Sequence, residues 1–62
     1  MTASQHLTLL AADMERLSRV VMLESEATEE YPVKHNLREI AEGLSSDAKR
    51  LRHLLLLQVL IR

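Results

Sequence analysis

Leu7-Thr8-Leu9-Leu10-Ala11-Ala12-Asp13-Met14-Glu15-Arg16-Leu17-Ser18-Arg19-Val20-Val21 places Leu7, Leu10, Met14, Leu17 and Val21 at alternating steps of three and four. That spacing keeps one stripe of a helix apolar and gives it the character of a heptad seam. The same steps continue through Glu24, Thr28 and Tyr31, where the residues turn polar. Upstream, Thr2 and Gln5 stand at capping-box spacing, which satisfies the first orphan N–H groups. Glu15 and Arg19 form a favourably oriented i,i+4 pair on the other side. A first helix over about residues 3–30 is expected.

Pro32 ends it. The proline disfavours a helical Tyr31 and donates to no carbonyl, yet it suits the first turn of a new helix. The expected turn is about 31–33, and the second helix runs from about 33 to 61. Two rows share its apolar side. Val33, Leu37, Ile40, Leu44, Leu51 and Leu54 form one, broken by Asp47; Leu37, Ala41, Leu44, Ala48, Leu51 and Leu55 form the other, unbroken. Alternation of large and small residues in the second row allows close helix approach. Gly43, Ser45 and Ser46 suggest a break, since glycine ends helices and serine caps them. The apolar register nevertheless passes through without a phase shift, which favours one continuous helix. Glu24, Glu26, Glu29 and Glu30 gather at the C-terminal end of helix 1, the unfavourable end for negative charge; Lys34, His35 and Arg38 offer partial compensation.

Two helices joined by a short turn lie antiparallel. The expected fold is therefore all-α, a helical hairpin forming a single domain over residues 1–62. Composition agrees: one Gly, one Pro, no Cys, one Tyr and no other aromatic residue among 62. A chain this short leaves a large share of its surface exposed and needs disulfides, a metal or association to add stability. Without cysteine, association is the open route. From Leu54 to Ile61 seven residues in eight are apolar, so the helix is apolar all round there and needs enclosure. Leu9, Val20 and Leu23 add apolar surface nearly opposite the helix 1 stripe. A homodimeric four-helix bundle hides both surfaces. The expected partner interface is Leu9, Val20, Leu23, Leu56, Leu57, Leu60 and Ile61.

No catalytic constellation is visible: no Gly-rich phosphate loop, no thiol and no strand-borne nucleophile elbow. The expectation is a non-enzyme without cofactor or metal, because His6, His35 and His53 lack the spacing that brings two imidazoles to one helical face. Net charge is −1, from eight basic and nine acidic residues, which gives no global attraction to nucleic acid or anionic membrane. The apolar tail spans about 12 Å as a helix, too short for a bilayer, and no secretory signal is evident at the start; a cytoplasmic protein is expected.

One local pattern points elsewhere. Residues 37–54 resemble a helix-turn-helix unit, with Ile40, Ala41, Leu44, Leu51 and Leu54 at its apolar or small positions. That resemblance implies a recognition helix carrying Lys49, Arg50, Arg52 and His53 to phosphates or base edges. Ser45 stands where the turn commonly has glycine, and Ser46 where an apolar plug is usual. The expected bundle also bears an architectural resemblance to small plasmid-encoded antiparallel bundles that present a polar helix face to paired RNA loops, which implies an RNA-binding alternative. The principal functional expectation remains a protein–protein interaction module of chaperone, adaptor or regulator type, which self-associates or docks onto a helical partner.

Overall fold

A computed structural model describes the backbone of residues 2–61 and the side-chain surroundings of residues 2–58. It consists of two helices packed side by side, α1 (Ala3–Ala27) and α2 (Tyr31–Ile61), with no strand among the described residues. α1 begins with the capping box: the Gln5 backbone N–H donates to Thr2 Oγ1 at 3.2 Å, and the Thr2 N–H donates to Gln5 Oε1 at 2.9 Å. Two orphan donors are thereby satisfied.

The turn comes earlier than the sequence suggests, at residues 28–30 and not 31–33. Thr28 leaves the helix in an extended conformation, and its hydroxyl turns back to donate to the Glu24 carbonyl at 2.7 Å. The first bond of α2 runs from the Lys34 N–H to the Glu30 carbonyl at 2.9 Å. Pro32 thus sits inside the first turn of α2, where a missing N–H costs nothing because no carbonyl precedes it in the helix.

α2 is continuous through Gly43, Ser45 and Ser46. The turn that a helix-turn-helix unit requires is absent, so that resemblance does not extend to the structure. Uninterrupted apolar register along Leu37, Leu44 and Leu51 keeps one side of α2 against α1, and a break there would throw those leucines out of phase. Gly43 serves no packing purpose within the chain, since a Cβ at this position meets no atom within 4 Å.

The helices meet through small residues. Ala11, Ala41, Ala48, Ser18 and Ser25 are the buried positions among the described residues. The Ser18 hydroxyl donates to the Ala41 carbonyl across the seam at 2.6 Å, and the Ser25 hydroxyl to the Lys34 carbonyl at 3.1 Å. A serine hydroxyl is short, so bonds to the opposite backbone require the two helix backbones to lie close together. Both pairs fix one antiparallel register, in which each step forward along α1 is a step backward along α2. The same register sets Ala11 opposite Ala48.

This seam differs from the one expected for α1. Periodicity places Leu10 and Leu17 on it together with Leu7, Met14 and Val21, but they are 48% and 46% exposed. The centre of the seam runs along Ala11, Ser18 and Ser25, with half-buried Leu7, Met14 and Val21 along one edge, so it is rotated toward the small residues. Leucine at positions 11 or 18 would hold the backbones apart and break the serine bonds. On α2 the unbroken row containing Ala41 and Ala48 is the one used, and Val33, Ile40 and Leu54 of the other row are exposed.

Two stability changes follow. Ala41→Leu places a branched side chain against the Ser18 hydroxyl bond and should destabilise the fold by about 1–3 kcal/mol in denaturant titration; unchanged stability would contradict the close seam. Gly43→Ala, in open space on an uninterrupted helix, should stabilise by about 0.5–1 kcal/mol in the same assay. A loss of stability there would show that the glycine answers a packing need.

Candidate interaction face

The seam divides each helix into two flanks. On one side lie Glu15 of α1 and Ser45 and Arg52 of α2. The Arg52 guanidinium donates to the Glu15 carboxylate across the seam, and Glu15, Arg19, Ser45 and Lys49 line one shallow groove. Glu15 therefore pairs with the opposite helix and not with Arg19, its expected i,i+4 partner. Its bond to Arg52 holds the Glu15 carboxyl below the usual glutamate range; partial burial works against this, and the positive charges of Arg52 and Arg19 reinforce it. This is the polar side of the hairpin.

Because Glu15, Ser45 and Arg52 share that side, helical periodicity sends the opposite flanks of both helices to the other side. There α1 presents Leu7, Leu10, Met14, Leu17 and Val21, and α2 presents Val33, Leu37, Ile40, Leu44, Leu51 and Leu54. Residues next to the seam are half-buried, and the outer ones stand in solvent, with Ile40 54% and Leu54 56% exposed. The result is one continuous apolar face that spans both helices. Asp47 and Glu24 interrupt its edges.

The expected interface residues are distributed differently. Leu9, Val20, Leu23, Leu56 and Leu57 are all exposed. Leu9, Val20 and Leu23 lie on the back of α1, directed away from α2, whereas Leu57 lies on the back of α2. No single surface collects them. Leu60 and Ile61 fall outside the residues whose side chains are described. The apolar residues that do share a surface are those whose spacing in the sequence suggests the hairpin's internal seam. The pattern of Ala11, Ser18 and Ser25 at seven-residue spacing, matched by Ala41 and Ala48, was the signal that could have separated seam from face.

The basic cluster is likewise divided. Arg52 is occupied by Glu15, and Arg50 lies 3.8 Å from Asp47. Lys49, Arg50 and His53 line a hollow with Ser46 and Leu54 on the outer side of α2. Of the acidic cluster, Glu24, Glu26, Glu29 and Glu30 form no ion pair with Lys34, His35 or Arg38 among the described residues; His35 pairs with Glu39 at 3.0 Å. No group of three or more His, Asp or Glu residues converges in a metal-binding arrangement among the described residues. None of the described helical segments is long and apolar enough to cross a membrane.

The Glu15–Arg52 bond gives a pH signature. A carboxyl whose folded value is depressed adds stability above its unfolded value, about 4.3 for glutamate, and loses it as pH falls through the folded value. Wild type should accordingly lose more stability than Glu15→Gln between about pH 5 and pH 3, measured by denaturant midpoints. Parallel pH profiles for the two proteins would show that the bond does not persist in solution. Comparison with protein-family models, curated proteins and solved structures returns no match to this chain.

Proposed function

We propose that the chain is a non-enzymatic helical interaction module that works through the apolar face shared by α1 and α2. One observation carries this reading: the only fully apolar residues buried among the described ones are Ala11, Ala41 and Ala48, while the larger aliphatic side chains are half-buried or exposed. Folding alone leaves most of the chain's hydrophobic free energy unused. Each large aliphatic side chain moved from water to a packed environment contributes roughly 1.5–3 kcal/mol. A second helical surface laid on this face recovers that contribution, and a helix pair with a smooth apolar side accepts other helices in bundle packing.

The nucleic-acid alternative has less support. Its turn is missing, Arg52 is paired with Glu15 and Arg50 with Asp47, on a chain of net charge −1. Cytoplasmic residence and a regulator, adaptor or chaperone role are compatible with the proposal, and neither is required by it.

The test compares two double variants. Leu17→Glu with Ile40→Glu charges the apolar face; Leu9→Glu with Val20→Glu charges the back of α1. Wild type should either associate or, if monomeric, bind an apolar fluorescent dye. The face variant should abolish that behaviour and the back variant should retain it. A face variant matching wild type in both mass and dye binding would overturn the proposal.

A further inference from the structure

Resting on that reading, we infer that the occupant of the apolar face is a second copy of this chain, laid face to face with its turn at the opposite end. Size supports a copy. The hairpin measures 49 Å by 19 Å across its broad side, a face on the order of 900 Å², close to the roughly 800 Å² that each partner contributes to a standard interface.

The order of residues supports a twofold axis. On α1 the central row Leu7, Met14, Val21 is symmetric about Met14, and on α2 the row Leu37, Leu44, Leu51 is symmetric about Leu44. The register set by Ser18–Ala41 and Ser25–Lys34 brings position 15 opposite position 44, so both midpoints lie within one residue of the same level. A twofold axis crossing the helices at that level therefore returns each apolar row onto itself. Leu7 then meets Val21 of the second copy, Leu10 meets Leu17, Leu37 meets Leu51, and Leu44 meets Leu44.

With the turns at opposite ends, α1 runs antiparallel to its copy. The other way of pairing, with the turns at the same end, sets α1 against α2 of the copy, and the register then brings Met14 level with Leu44 of the second copy to within one residue.

Sedimentation equilibrium of the wild-type chain, together with cysteine pairing, tests the inference. The chain has no native cysteine, so each introduced thiol reports alone. Twice the 7.1 kDa chain mass is expected in solution. Under mild oxidation Leu44→Cys alone should form a covalent dimer, as should Met14→Cys, whereas Ser46→Cys on the outer side should not. A Leu44→Cys chain that cross-links only to a Met14→Cys chain would overturn the opposite-end arrangement. A mass of 7.1 kDa at every concentration would overturn the second copy. If that monomer still binds apolar dye through the face, the interaction module survives and only its occupant is wrong; if it does not, both readings fall.

Discussion

Two serine hydroxyls hold the geometry on which the rest depends. Ser18 and Ser25 reach from α1 across the seam to the α2 backbone carbonyls of Ala41 and Lys34, and they do so only while the helix backbones remain close. A buried hydroxyl without a partner costs about 1–3 kcal/mol, so each serine penalises any separation or slip of the helices. Alanine at positions 11, 41 and 48 removes the steric obstacle to the same approach. Close approach has a geometric consequence: the contact line between helices is narrow, and only small side chains fit on it. Large aliphatic residues are displaced to one flank.

That displacement explains how a chain with 47% hydrophobic residues acquires so little apolar interior. A bundle core built from leucine would bury its large side chains between the two helices. Here the seam supplies register and direction, while the hydrophobic contribution is directed outward from both helices onto one shared side. Small single-chain domains are marginally stable even with a full core. With alanines alone at its centre, this hairpin draws on the Glu15–Arg52 pair, capping at Thr2 and the serine bonds, each a modest contribution on an exposed or half-buried site. Enclosure of the apolar face is the large term still available.

Much of this was legible in the residues. Helix 1's start follows from Thr2 and Gln5, the division into two helices from Pro32, and the continuity of α2 from the unbroken phase of Leu37, Leu44 and Leu51. The turn was displaced because the first turn of a helix tolerates proline, so Pro32 marks the beginning of α2 more closely than the end of α1. Periodicity failed at Leu10 and Leu17. A three–four repeat identifies the apolar side of a helix, but that side is wider than one contact line, and sequence spacing does not say which edge faces which neighbour. Residue size decides it, through Ala11, Ser18 and Ser25 opposite Ala41 and Ala48. The expectation for Leu9, Val20, Leu23, Leu56 and Leu57 rests on the same pairing of rows, since it takes as surplus whatever remains after those rows are paired.

The central claim is that the hairpin's stability draws on apolar surface covered by another molecule of the same kind. Thermal unfolding followed by circular dichroism over a hundredfold range of protein concentration tests this most directly, because association that favours the folded state makes the midpoint depend on concentration. The account predicts a midpoint that climbs steadily as the protein is concentrated. A single midpoint, the same in the most dilute and the most concentrated sample, would contradict it.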